Sequence, residues 1–261
     1  MQRLLSSLVR RKTLESPVRE AEIPHGQRVY AIGDVHGRFD LLIGLLDRIR
    51  ADNRKRGAAD TQVVMLGDMI DRGAGSAHVI EYLRALRGSF ATFHFIRGNH
   101  EEVMLAALAE GAVPEEIGWL EFGGYETMKS YGASDALFVE EGPALARAMR
   151  AMVPDTHLVF LQQLVDRVII GDYLFVHAGI CPGVPIDRQS GEDMRWIREP
   201  FLTDERDHGM IVVHGHSQCI EPQFRANRIG IDTGAYRTGR LTALGLEGAD
   251  RWVVSERKSV R

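Results

Sequence analysis

From residue 28 onward, two hydrophobic periods alternate along the chain. Arg28-Val29-Tyr30-Ala31-Ile32 is a short β-type run that stops at Gly33-Asp34. Behind it, Leu41, Leu42, Leu45, Leu46 and Ile49 recur at helical spacing, which predicts an amphipathic helix over residues 38–56, with Gly57 and Asp60 marking its exit. The unit then repeats. Gln62-Val63-Val64-Met65-Leu66 is continuously apolar, as a strand buried on both faces must be, and it stops at Gly67-Asp68 before a helix over residues 76–86. A third strand over residues 91–96 stops at Gly98-Asn99-His100, ahead of a helix over residues 101–110. A β-α-β-α-β series predicts a parallel sheet whose ligands bind at the carboxyl ends of the strands. Each of these strands has a polar cluster at that end.

The rhythm breaks over residues 111–165, where Gly123-Gly124, Gly132 and Gly142 separate helix-like stretches such as residues 143–152. This segment reads as a helical insertion beside the site. Strands return afterwards. Residues 167–170 and 173–176 flank a Gly171-Asp172 hairpin turn, and the second of these strands ends at His177. Met210-Ile211-Val212-Val213 leads into His214-Gly215-His216. Residues 228–232 and 241–246 look like a closing hairpin or meander. Domain boundaries follow: a basic arm over residues 1–24, a catalytic domain over 25–250, and a solvated tail over 251–261.

Composition narrows the class. With 261 residues, 44% hydrophobic and 26% charged, the chain fits one large domain with a core of normal size. A net charge of -4 lacks the basic footprint of a nucleic-acid binder. The apolar positions of the first residues are interrupted by Ser6, Ser7 and Arg10, and no run approaches the ~18 residues of a membrane span. The expectation is a cytoplasmic protein without stable membrane insertion. Cys181 and Cys219 lie in no CxxC pair and read as small reduced residues.

The chemistry sits at five strand ends: GDVHG at 33–37, GDMIDRG at 67–73, RGNHE at 97–101, His177 and His216. Each alone is weak, since a Gly-Asp is usually a turn and a buried His usually a hydrogen-bonded core residue. Five in this order, each after an apolar strand, point jointly to a metal site. Mixed Asp, His and Asn donors suit Mn, Fe or Zn better than the all-oxygen shells of Ca or Mg. Asp34 and His36 stand two apart, so in an extended segment both face one way and can bind one ion.

These motifs, with VHAG at 176–179 and GHS at 215–217, resemble the calcineurin-like metallophosphoesterase superfamily, and most closely its PPP-type serine/threonine protein phosphatases of bacterial and phage form. The likeness covers roughly residues 28–246. It implies an α/β fold, a four-layer α-β-β-α sandwich of two mixed sheets flanked by helices. It also implies two divalent ions, with Mn2+ the leading candidate. Asp34 and His36 would bind the first ion, Asp68 would bridge both, and Asn99, His177 and His216 would complete the second. His100 would be the general acid, oriented by Asp71. Arg72 and Arg97 would grip phosphate oxygens, and Arg198 would add a third arginine, with Arg195 as its rival. The ions would share a hydroxide that attacks phosphorus directly.

Ser217 and Gln218 follow His216 where phosphodiesterases of this superfamily carry a further His. That favours a phosphomonoesterase acting on phosphoserine or phosphothreonine proteins. The alternative is a symmetrical diadenosine tetraphosphatase or another small-molecule phosphoesterase. A module that only binds metal is disfavoured, because no ligand of the pattern is missing. His214 and His94 read as structural. Asp232 is either a partner of a ligand histidine or a turn residue, and Tyr236 lies near the expected substrate.

Overall fold

A computed structural model describes residues 21–86 and 90–259. The elements run β1 (Gln27–Ile32), α1 (Phe39–Arg56), β2 (Asp60–Met65), α2 (Ser76–Ala85), β3 (Thr92–Phe95) and α3 (Asn99–Ala107). A helical segment follows, with α4 (Pro114–Ile117), a wide turn at Leu120–Gly124, α5 (Tyr125–Ser130), α6 (Gly142–Met152) and α7 (Asp155–Gln162). The second half holds β4 (Arg167–Ile170), β5 (Tyr173–Val176), α8 (Gly191–Trp196), β6 (Ile211–His214), β7 (Gln223–Phe224), β8 (Arg228–Gly230), α9 (Ala235–Thr238), β9 (Arg240–Glu247) and β10 (Asp250–Arg257).

Two mixed five-stranded sheets result, ordered β10-β9-β1-β2-β3 and β4-β5-β6-β8-β7. β1, β2 and β3 are parallel, as are β5, β6 and β8. Strand alternation builds the layers. Val29, Ala31, Val64 and Leu66 face the second sheet and pack with Tyr173, Phe175, Val213 and Ile229. Their neighbours Tyr30, Ile32, Val63 and Met65 point the other way, onto the leucines of α1. The outer face of the second sheet, Leu174, Val176 and Val212, is covered by Met194 and Phe201. A core side chain of this kind contributes roughly 1.5–3 kcal/mol over exposure. The four-layer sandwich implied by the sequence is the fold observed.

Three boundaries differ from the sequence reading. The tail expected at 251–261 is a strand through Arg257, paired antiparallel with β9. Trp252 and Val254 pack on the core while Arg251, Val253 and Arg257 are exposed, a period of two masked in the sequence by the apolar Val253 on the outer face and by the charged Glu256 in line with Trp252. Trp252 lies edge-on to Tyr30, beneath the guanidinium of Arg56, and donates to Asp52 at 2.9 Å. The expected closing hairpin does not form either. β8 enters the second sheet and β9 the first, because the chain crosses between the sheets after residue 231. Most of the expected arm lies outside the described residues. Its last part does not hang free, since Ala21 and Ile23 are buried between the sheets.

Residues 111–165 hold α4, the wide turn, α5, α6 and α7. Trp119, Met128, Leu145, Met149 and Leu161 join the core under α1 and α2, so the segment is an integral layer.

Candidate metal centre and its acid pair

All five non-glycine residues with positive φ among the described ones belong to the motifs: His36 (46°), Asp68 (47°), Asp71 (72°), Arg72 (69°) and His216 (60°). Such left-handed conformations cost on the order of 1–3 kcal/mol each and persist only where surrounding contacts impose them. Here the loops brace one another. The N–H groups of Val35 and His36 both donate to Asp68 O, at 3.0 and 2.9 Å, and Gly37 N–H donates to Met69 O at 3.0 Å. The buried Glu101 carboxylate accepts N–H bonds from Gly98, Asp68 and Met69 at 2.8, 3.0 and 2.7 Å, clamping the second motif to the third. Gly98 is required for this approach, because a Cβ there would lie 2.1 Å from Asp68 Oδ1.

Two groups of side chains converge at the carboxyl ends of the strands. His36, Asp68 and His100 form one, and Asp68, His177 and His216 form the other, each with donor atoms within 4.8 Å of one another. Asp68 belongs to both, as a shared carboxylate must. Asn99 Oδ1 lies 2.9 Å from His177 Nε2 and 3.1 Å from His216 Nδ1, so it faces the second group. Asp34 joins neither group. Its carboxylate accepts the His216 N–H at 3.0 Å, and the close approach of Gly215 makes room for it. The extended geometry expected for Asp34 and His36 is also absent, because the chain turns left-handed at His36.

The imidazoles are oriented as metal ligands are. Nδ1 of His36 meets Ile70 O at 3.0 Å, Nδ1 of His177 meets Leu66 O at 2.8 Å, and Nδ1 of His100 meets Asp71 Oδ2 at 2.7 Å. A carbonyl or carboxylate only accepts, so each Nδ1 carries the proton and each Nε2 turns a lone pair or a second proton inward. Burial lowers His36 and His216 to about 3, so both rings are neutral.

Buried acids surround them. Burial and the neighbouring Asp232 and Asp68 push Asp34 well above the usual carboxylate range, burial and Asp68 raise Glu101 to about 7, and burial raises Asp232 to about 6. Burial also works against the Asp68 carboxylate, but His177, His100 and His36 outweigh it and hold it well below that range. The neutral imidazoles of His36 and His216, the His177 ring, an amide oxygen and crowded carboxylates form a donor set that fits divalent cations.

Beside the first group stands the acid pair. Asp71 accepts from His100 through Oδ2, and from Trp119 Nε1 at 3.1 Å and Thr127 Oγ1 at 2.6 Å. Phe122 lies flat on the His100 ring, with centroids 4.0 Å apart and planes at 9°. Trp119, Phe122 and Thr127 come from the helical segment and carry no motif. Sequence reasoning missed them, and the only available signal was a Trp and two glycines in a segment of irregular rhythm. Glu101 was legible as part of RGNHE, but its clamping role was not.

The arginines divide. Arg72 places Nη1 2.9 Å from His36 Nε2 and Nη2 3.0 Å from His100 Nε2. Arg198 lines the same cavity as Asp68, Asn99 and His216, whereas Arg195 is tied to Glu102 at 2.7 Å and to Asp166. Between these rivals, Arg198 is the one placed at the centre. Arg97 is not brought there. Its Nη2 donates to the carbonyls of Gln162 and Leu164, at 3.1 and 3.3 Å, because the end of α7 lies across its path. Asp232 Oδ1 accepts Gly234 N–H at 2.8 Å, as in a turn, while its buried Oδ2 has no hydrogen-bond partner among the described residues. His214 packs edge-on to Phe201, and His94 pairs with Gln62, both away from the centre. Both cysteines are free thiols.

A two-sheet sandwich with histidine and aspartate donors converging at its strand ends, beside an Asp–His pair and arginines, defines a metal-dependent phosphoesterase. The chain belongs to the calcineurin-like phosphoesterase family, whose profile matches residues 27–242. It is 25% identical to a symmetrical bis(5'-nucleosyl)-tetraphosphatase of Chromohalobacter salexigens, over 83% of this chain and 94% of that protein. A protein of the same description from Methylobacillus flagellatus is 26% identical over 84% of this chain and 92% of its own length. Among solved structures, one assigned as a diadenosine tetraphosphatase superposes with a TM-score of 0.60 at 22% identity, covering 92% of this chain and all of the other. A cold-active protein tyrosine phosphatase superposes at 0.56 and 19% identity, covering 89% and 81%. At such identities the superpositions show the fold alone.

Proposed function

We propose that this chain hydrolyses dinucleoside polyphosphates, cutting a dinucleoside tetraphosphate symmetrically into two nucleoside diphosphates. One structural observation carries the reading. The cavity holding Asp68, Asn99, His100 and His216 is walled by Phe122, Trp196 and Tyr236 as well as by Arg72 and Arg198. Arginines recognise phosphate oxygens in pairs, and aromatic rings offer stacking surfaces for bases. The full-length similarity to symmetrical tetraphosphatases supports the same reading.

His36 and Asp68, with Asp34 alongside on the His216 N–H, would hold one divalent cation, and Asp68, Asn99, His177 and His216 the other. Mixed nitrogen and oxygen donors favour Mn2+, with Fe or Zn as substitutes. Such ions supply a nucleophilic water and neutralise phosphate oxygens. The protein's own groups do the rest. Arg72 and Arg198 hold the substrate's phosphates. Asp71 fixes the tautomer of His100 and aims Nε2 at the cavity, so that a proton on Nε2 passes to the departing phosphate oxygen. Phe122 covers that ring and limits its access to bulk water.

A protein phosphatase is the second reading, favoured by Gln218 standing where a further histidine would serve a phosphodiester. The test is product analysis on Mn2+-loaded protein with diadenosine tetraphosphate and a phosphoserine peptide. Two equivalents of ADP from the first, at a kcat/KM well above that for the peptide, is the expected result. Rapid peptide turnover with the dinucleotide untouched would replace this reading by the second.

A further inference from the structure

A second, larger cavity opens off the centre. It measures about 870 Å³ against about 320 Å³ for the catalytic cavity, and the two share Arg72 and Tyr236 in their walls. Its floor runs between the start of α1 and the loop at residues 73–75. The catalytic cavity is matched to phosphates and one flanking ring. The larger one lies within the size range of pockets that take whole organic ligands.

Its lining is chemically specific. Phe39 and His78 present a shared face, with centroids 5.7 Å apart and planes at 33°. Tyr82 props Phe39 edge-on at 5.8 Å, so the ring is held from behind and only partly exposed. Arg38 stands beside them, fixed by Asp40 at 2.9 and 2.8 Å and by Ala235 O at 3.1 Å. Lys258 Nζ rests on Asp40 O at 2.9 Å. Asp40 is thus engaged, which leaves Glu126 as the acid in the wall not already paired with Arg38. An aromatic platform, two cations and one hydrogen-bond-accepting acid suit a base with exocyclic amines joined to a phosphate chain.

The centre has its own platform in Phe122 and Trp196, stacked at 6.2 Å with planes at 24°. The Arg72 guanidinium adjoins both regions, 5.7 Å from the Phe122 ring and 4.8 Å from the Tyr236 ring. A symmetrical cut leaves a nucleoside diphosphate on each side of the broken bond, so both ends of the substrate need a surface. We propose that the groove of Phe39, His78, Arg38 and Lys258 binds the second nucleoside of a dinucleoside polyphosphate while the first rests on Phe122 and Trp196. This rests on the dinucleotide reading above.

The experiment compares two substrates on the Mn2+-loaded enzyme. Diadenosine tetraphosphate fills the groove, and p-nitrophenyl phosphate is too short to reach it. His78 is exposed on α2, so His78→Ala leaves the core intact, and Phe39→Leu keeps an apolar side chain against Tyr82. Each variant is expected to lower the ratio of kcat/KM for the dinucleotide to that for p-nitrophenyl phosphate by about tenfold, mainly through KM. If the wild type cleaves the dinucleotide and both variants keep the wild-type ratio, the groove is not a nucleoside site and the functional reading survives. If the wild type cleaves only p-nitrophenyl phosphate, the reading and the groove both fall.

Discussion

Two regions meet at the centre and are built on opposite principles. The strand-end loops supply the metal-facing donors from backbone held in left-handed conformations, each loop hydrogen-bonded to the next. The helical segment supplies no donor to a cation. It reaches the centre through Trp119, Phe122 and Thr127, which contact the Asp71–His100 pair. The first region is strained and short in sequence, and the second is relaxed and long. The difference teaches that holding cations and aiming a proton are separable tasks here, carried by separate parts of the chain.

Removing the cations breaks the comparison on the side of the loops, and it is expected to have the largest effect. Prolonged chelation should abolish hydrolysis, and added Mn2+ should restore it; turnover that survives in metal-free protein would contradict the assignment of the loops. Asp68→Asn strikes both donor groups at once. Metal analysis should show weakened occupancy at both positions, together with near-complete loss of rate. A fully loaded, active variant would remove Asp68 from its shared position.

His100→Asn belongs to the other side. It should lower kcat by ~10²–10⁴ while metal content stays near wild type, since His100 is proposed as the acid and not among the ligands of either cation. Titrating bound metal alongside the rate separates the two tasks. Trp119→Phe is the gentlest cut into the helical segment. It removes one N–H bond to a buried carboxylate, a contact of about 1.5–3 kcal/mol, and leaves a smaller aromatic ring in a fully buried position. About tenfold in kcat is expected, larger for alkyl phosphates than for p-nitrophenyl phosphate, whose leaving group needs no proton. An equal loss on both substrates would mean that Trp119 acts only on stability.

Arg97→Ala should matter least. Its guanidinium serves the end of α7, so KM should stay within about twofold. A large rise in KM would return Arg97 to the phosphate.

The donors were legible in the sequence because each follows an apolar strand. That local grammar fixes where a side chain can stand relative to a sheet edge. Asp68, Asn99, His100, His177 and His216 were found in this way. Arg97 misled for the same reason: it sits within a motif, but its long side chain follows the nearest acceptors rather than the motif. Trp252 and its strand were hidden because the apolar Val253 on the outer face and the charged Glu256 in line with Trp252 masked a period of two. Trp119, Phe122 and Thr127 obey no period at all, since the wide turn at Leu120–Gly124 breaks helical spacing where they emerge.

By itself, then, the sequence determined the strands and helices of the first half, and which polar residues end those strands, because hydrophobic period and turn chemistry act over a few neighbours. Only the tertiary structure decided which arginine reaches the centre, that Asp34 turns to the His216 backbone, and that a distant helical segment grips Asp71. Those outcomes depend on contacts between residues tens of positions apart, where close packing selects one partner among several chemically equal candidates.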